Sequence, residues 1–345
     1  MVLCQMINKR RPLLGLLLVG LPILFFVATM SIGRFPIPMG MVMKSLITGI
    51  TGKKLGVEDK VLTLVLSVRL PRAFQGALVG ASLSASGAAF QSVFRNPLVS
   101  SGMLGVSAGA GFGAALSIVI FGTVYLTPIF SFSFGIFAVI LSYLVGRVRG
   151  GASSSSVTLI LGGSIIQSIF SALLSLVKYL AAVDTQLPAI TFWLMGSLAS
   201  TKSLDTYLSG IPMTIGLVGL FLFRWRLDVL SMGDREAQTM GVNVKITKMV
   251  IIAFATLATA GAVSVSGMIG FVGLVVPHVG RMLVGNDNKW LIPTSISFGA
   301  CFMLLLDTIC RTLTGAELPL GIVTSIIGGP FFIYLLTKTK GSRWQ

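Results

Sequence analysis

Few side chains in this 345-residue chain are equipped for chemistry. His278 is the single histidine, and no cysteine or carboxylate stands at ligand spacing from it, so the pattern offers no metal site and packing beside Pro277 is its default role. Cys4, Cys301 and Cys310 make no disulfide framework, since the last two share one predicted helix and Cys4 precedes the first apolar run. Gly105-Val-Ser-Ala-Gly-Ala-Gly-Phe-Gly113 has the glycine content of a phosphate cradle but follows no strand; it reads as small-residue helix packing. Gly49-Ile-Thr-Gly-Lys-Lys54 lacks the spacing of a nucleotide-binding loop, so the chain is not expected to hydrolyse ATP itself. Asp307 alone comes near the mid-span carboxylate of a proton-coupled carrier. Arg311, four residues on, is expected to pair with it along one helix face. No catalytic residue and no cofactor is expected.

What remains is a polar insert, Ser231-Met-Gly-Asp-Arg-Glu-Ala-Gln-Thr-Met-Gly-Val242, set between two long apolar runs. Gly233 and Gly241 punctuate its start and stop, which predicts a tight helical knob. A chain that only packs in a membrane has no use for such a knob, and a docking helix for a separate motor subunit is the expectation.

The elements that must position it follow from composition. Hydrophobic residues make up 54%, charged residues 10%, and the mean hydropathy is +0.94, values of an integral membrane protein. Each span needs roughly 20 apolar residues. The chain therefore reads as a single all-α transmembrane domain over 1–345, with about ten helices, some short or broken. The expected spans are 13–33, 61–90, 98–121, 124–146, 157–181, 206–225, 246–268, 270–284, 290–312 and 318–337. The run from Leu13 is too long, and lacks the small-residue cleavage pattern, for a removed signal peptide; a lipoprotein signal at Cys4 is likewise not expected. Thr185 to Ser200 is apolar but too short to span and reads as a re-entrant or surface helix.

A net charge of +16 raises the question of nucleic acid, but the cations sit at span ends without a stripe or aromatic interleaving. Anionic lipid headgroups are the expected counterpart. With both termini inside, sixteen Lys and Arg fall on the inner side and ten on the outer, seven of those within Arg34 to Arg72. That places residues 231–242 in the cytoplasm. The Arg34 to Arg72 group runs against the positive-inside tendency, and it is either a chance feature of a long first loop or a site. Arg69-Leu-Pro-Arg72 is read as a helix opening with Pro71 in its first turn, where two cations oppose the helix dipole. An acidic partner would offset that cost; simple interfacial snorkelling is the other open reading.

Taken in order, nine motifs resemble the permease family of type II ABC importers, which carry ferric siderophores, haem or cobalamin. They are Arg69-Leu-Pro-Arg72, Gly76-Ala-Leu-Val-Gly80, Gln91 with Arg95-Asn-Pro-Leu98, Gly102-Met-Leu-Gly-Val-Ser-Ala-Gly109 and Leu161-Gly-Gly163, then Trp193-Leu-Met-Gly196, Gly233-Asp-Arg-Glu-Ala237 with Met240-Gly-Val242, Gly270-Phe-Val-Gly-Leu-Val-Val-Pro-His-Val-Gly-Arg281 and Glu317-Leu-Pro-Leu-Gly321. The resemblance covers roughly residues 60–337. It implies a ten-helix subunit of the cytoplasmic membrane that dimerises, with two ABC ATPase subunits beneath and an extracytoplasmic substrate-binding protein outside. By motif, Gly233, Asp234, Arg235, Glu236, Ala237, Met240 and Gly241 match the ATPase-coupling helix. Arg69, Arg72 and Arg311 match outward arginines that pair with glutamates of the binding protein. Asn96 and Leu98, with Ser155, Ser156 and Val157, fall where the family has its cytoplasmic gates. The residues alone also leave room for an ion-coupled secondary transporter or a membrane anchor for a cytoplasmic enzyme.

Overall fold

The computed structural model describes residues 11–52, 56–122, 125–148, 156–199 and 203–338, and every regular element among them is helical. The first half contains α1 (Arg11–Ser31), α2 (Met39–Thr51), α3 (Asp59–Val93), α4 (Val106–Phe121), α5 (Thr127–Val148), α6 (Ser156–Leu180) and α7 (Gln186–Met195). The second contains α8 (Ser203–Leu222), α9 (Arg224–Met232), α10 (Asp234–Thr239), α11 (Val244–Ser266), α12 (Val272–Val284), α13 (Asn288–Leu313) and α14 (Leu320–Lys338). Helix is the forced choice for these runs, because in lipid each backbone N–H and C=O must find its partner within the segment.

Six of the helices are long and apolar enough to cross a bilayer alone, and α8 with α9 forms a further pair bent by 57°. The short apolar helices α4, α12 and α14 complete the ten segments expected. The third begins at Val106 rather than at residue 98, because Pro97 and the left-handed Gly105, at φ 84, hold residues 96–105 in turns. At 13 residues, α12 covers roughly 20 Å at 1.5 Å per residue and falls short of a full crossing. The apolar stretch after Thr185 forms α7, a ten-residue helix. Helix α2 lies in what the sequence suggested was open loop.

Helix α3 does not open at Arg69. It starts at Asp59 and widens into a π-helical segment over Leu64–Arg69, where the Leu70 N–H reaches back to the Val65 carbonyl. Pro71 has no N–H to donate and its ring crowds the preceding turn. A wide turn just ahead of it keeps the helix continuous and rephases the two arginines that flank it. Both are thus interior to a long helix, and the dipole cost expected of a helix start does not arise.

Antiparallel α3 and α13 are the central pair. They cross at Gly80 and Gly299, where a Cβ on Gly80 would stand 2.1 Å from the Gly299 carbonyl oxygen and one on Gly299 2.3 Å from that of Gly80. Close backbone approach through small residues is how helices attract one another where lipid removes the hydrophobic drive. A second contact of this kind joins α3 to α12, with a Cβ on Gly87 only 1.9 Å from the Gly273 carbonyl oxygen. Along α3 Arg72 and Ser92 lie about 30 Å apart at 1.5 Å per residue, and Asp307 and Asn288 on α13 about 28 Å. The hydrocarbon core of a bilayer is about 30 Å thick. The glycine crossing therefore sits at mid-depth, with one polar cluster at each end of the pair.

Candidate functional site

At the first end, Arg72 is clamped between two helices and a loop. Its Nη2 lies 2.8 Å from Asp307 Oδ1 and 2.9 Å from Glu317 Oε2, while Nε reaches both Asp307 oxygens at 3.1 Å and Nη1 reaches Glu317 Oε1 at 3.0 Å. Arg311 stands farther from Asp307, 3.8 Å through Nε, and donates Nη2 to the Thr29 carbonyl. The expected Asp307–Arg311 neutralisation along one face is thus secondary to a cross-helix pair with Arg72. Arg69 is 5% exposed and donates to the Met30 and Phe35 carbonyls. Two guanidinium groups therefore cap the C-terminal end of α1, where free carbonyls and the helix dipole favour cations. The structure brings Arg69, Arg72 and Arg311 into one cluster and gives each a partner within the chain. Exposed Arg34 adds a bond to the Thr314 carbonyl at 3.1 Å. In the loop before α14, burial alone would raise the Glu317 carboxyl, but the hydrogen bonds and charge of Arg72 outweigh it and hold the group below the usual carboxylate range.

At the second end, the polar insert forms α10, one and a half turns long, hung from α9. Gly233 makes the joint at φ 143, a conformation that L side chains rarely adopt. Two contacts pin the knob: Ala237 is fully buried, and Asp234 accepts from Lys248 of α11 at 2.8 Å. The opposite face points away from the protein, with Arg235, Glu236, Gln238, Thr239 and Gly241 exposed and the apolar tips Met232 and Met240 at 64% and 53%. A pinned helix with two bare methionines among polar groups has the form of a plug for a cleft in another protein.

Beside it, α3 ends in the loop that carries Asn96 and Leu98. The Arg95 and Asn96 N–H groups bond to the Ser92 and Gln91 carbonyls at 3.3 and 3.1 Å, and the Leu98 N–H bonds to Asn96 Oδ1 at 2.9 Å. Arg95 is held at φ 50 in this turn. Leu98 is half exposed. Of the second gate candidates, Val157 is exposed at the start of α6 and Ser156 opens that helix, whereas Ser155 lies outside the described residues. Arg281 of α12 donates to Gln91 Oε1, and Gln91 donates in turn to the Gly273 carbonyl at 3.3 Å.

Sequence reasoning missed Asp228 and Asn288. Asp228 Oδ1 accepts from the Asn288 N–H at 2.6 Å and from its Nδ2 at 2.9 Å, and Ser92 donates Oγ to Asn288 Oδ1 at 2.7 Å. The only available signal was an acid and an amide at the inner ends of two spans.

A family model, the FecCD transport family, matches residues 20–338. The chain belongs to that family. The hemin transport permease HmuU of Yersinia pestis is 36% identical over 83% of this chain and 86% of its own length. The molybdate import permease MolB of Haemophilus influenzae is 35% identical over 94% and 96%. A solved structure described as an inward-facing conformation of a metal-chelate type ABC transporter superposes with a TM-score of 0.81 at 34% identity, covering 93% of this chain and 97% of that one. This FecCD chain is accordingly a permease of the type II ABC importer class, a multi-pass protein of the cytoplasmic membrane and a transport subunit rather than an enzyme. Members of the family work with ATPase and substrate-binding partners.

Proposed function

We propose that the chain is the permease subunit of an ATP-driven importer that moves a ferric siderophore or related metal chelate, haem or cobalamin included, into the cytoplasm. It acts as a homodimer over two ATPase subunits and under a binding protein. The observation that carries the coupling part of this reading is the pinned knob. Gly233, Asp234, Arg235, Glu236, Ala237, Met240 and Gly241 are the residues through which the ATPase would push, Gly233 making the joint, Asp234 and Ala237 holding the knob, and Arg235, Glu236, Met240 and Gly241 meeting the partner. An ion-coupled carrier has no need of such a plug, and the family membership does not favour that alternative.

The choice of cargo rests on the relatives. A Helicobacter pylori protein named as a probable iron chelatin transport permease is 38% identical over 81% of this chain, and HmuU points the same way. MolB shows that near relatives also serve a small oxyanion.

Asn96 and Leu98, with Ser155, Ser156 and Val157, would close the cytoplasmic end of the path. Docking through Arg69, Arg72 and Arg311 requires acidic lobes of the binding protein to compete with Asp307 and Glu317, so the attraction is long-ranged and salt-sensitive rather than a matter of bare charges. Reconstitution of the permease with its ATPase and binding protein in proteoliposomes tests the reading. ATP-dependent uptake of an iron-labelled ferric chelate supports it. Uptake driven by an ion gradient without ATP overturns it, and ATP-dependent uptake of molybdate alone replaces the cargo.

A further inference from the structure

We propose that Asn288 is a positioning residue: it ties the helix that carries the coupling knob to the gate-bearing end of α3, so that knob and gate move as one piece. The inference rests on the importer reading and adds to it the element that transmits the force.

The geometry is a continuous hydrogen-bonded strut across three segments distant in sequence. Asp228 lies on α9, four residues before the helix ends at Met232 and the chain turns through Gly233 into the knob. Asn288 opens α13 and is 1% exposed. Ser92 is 7% exposed and stands in the last turn of α3. Asn288 uses its backbone N–H and both side-chain amide functions: N and Nδ2 on Asp228 Oδ1, and Oδ1 as acceptor for Ser92. From Ser92 the backbone continues the chain of bonds into Arg95, and from Gln91 into Asn96, whose side chain fixes Leu98.

Such a strut differs from ordinary packing in two respects. Apolar contacts slide, whereas two donors on one carboxylate oxygen fix direction as well as distance, and a bond to a charged acceptor is stronger than a neutral one. Asn288 and Ser92 are buried and Asp228 is half-buried, so water is kept from the Asn288–Ser92 bond and reaches only the Asp228 end when the knob is pushed. Leu227, Val229 and Leu230 bury α9 against the same helices and make it stiff enough to pass on a displacement. Both amide functions of the Asn288 side chain are engaged in this link.

Spatial intermediacy is not coupling, so the test must show that the bonds themselves matter. In the assembled permease–ATPase complex, with Cys4, Cys301 and Cys310 replaced by serine, a Leu98→Cys reporter is alkylated from the cytoplasmic side by a membrane-impermeant maleimide with and without ATP. Asn288→Asp adds a further carboxylate to Asp228, which Asp287 already neighbours, and breaks the strut; the exchange Asp228→Asn with Asn288→Asp restores an amide–carboxylate pair of the same net charge. The expected result is an ATP-dependent change in labelling rate in the parent, lost several-fold in Asn288→Asp and recovered in the exchanged pair, with ATPase co-purification equal in all three. A gate that responds to ATP alike in the parent and in Asn288→Asp overturns the strut while leaving the importer reading intact. So does an exchanged pair as defective as the single variant. A parent gate blind to ATP overturns the importer reading and the strut with it.

Discussion

Arg72 and Asp307, 235 residues apart, form a bidentate pair between α3 and α13, with Nη2 at 2.8 Å and Nε at 3.1 Å. Their side chains are 11% and 8% exposed, so the pair fixes one end of the two central helices in a setting that water screens poorly. Removing one member of a buried pair leaves the other charged and desolvated, typically at a cost of about 3–5 kcal/mol. Arg72→Ala should therefore lower the melting temperature of the detergent-solubilised protein clearly. Arg72→Lys should recover only part of the loss, because one ammonium cannot hold Asp307 and Glu317 together in planar geometry. Equal melting of the alanine variant and the parent would contradict this role.

Glu317 makes the same cluster sensitive to acid. Its carboxyl is held below the ordinary range by Arg72 although burial works in the other direction. A group whose folded pKa is depressed contributes stability above its unfolded value, about 4.3 for Glu, and loses it as pH falls through the lower folded value. The clamp should thus be intact at neutral pH and weaken only below the usual carboxylate range. Glu317→Gln should melt lower than the parent at pH 7, with the difference shrinking as the pH is taken down through 4. The measurement is melting temperature against pH for both proteins, and a difference that grows on acidification would refute the assignment.

Much of this architecture was legible in the sequence for a simple reason: ten apolar runs separated by polar residues leave a membrane chain little choice. The knob too could be read, since glycines bracket a polar hexamer between spans. What the sequence hid were relationships across helices. The i, i+4 spacing of Asp307 and Arg311 suggested a pair, but a guanidinium from α3 approaches closer and with better geometry. The cluster at Arg34 to Arg72 read as an outward-facing group; its two inner members, Arg69 and Arg72, turn into the protein because a π-segment ahead of Pro71, invisible to hydropathy, rephases α3. Helix α2 escaped because at 13 residues it is too short for the roughly 20-residue apolar run that marks a span, and two of its buried positions, Ser45 and Thr48, are polar.

The glycine crossing gives a sharp contrast within one residue type. A methyl group on Gly80 would sit 2.1 Å from a backbone oxygen of α13, which cannot rotate away, so Gly80→Ala must push the two central helices apart. Gly20→Ala on α1 meets nothing within 4 Å. Exposed helix positions gain up to about 1 kcal/mol when Gly becomes Ala. Folded yield after membrane extraction should drop for Gly80→Ala and hold or rise for Gly20→Ala. A Gly80→Ala protein that folds like the parent would mean the helices do not meet there.

The knob permits the most direct separation of folding from function. Met232 and Met240 are 64% and 53% exposed, whereas Ala237 is fully buried. Placing a carboxylate at each tip, Met232→Asp with Met240→Asp, should leave melting and membrane insertion unchanged within about 0.5 kcal/mol, the usual range for surface changes away from buried features. If those methionines fill apolar pockets in a motor subunit, the same double variant desolvates two charges on docking, and ATPase co-purification should fall at least tenfold, about 1.4 kcal/mol. Ala237→Asp is the internal control: it forces a charge into the buried side of α10, so both melting and co-purification should fall. Retained co-purification in the double methionine variant would show that the partner does not grip the knob by its tips.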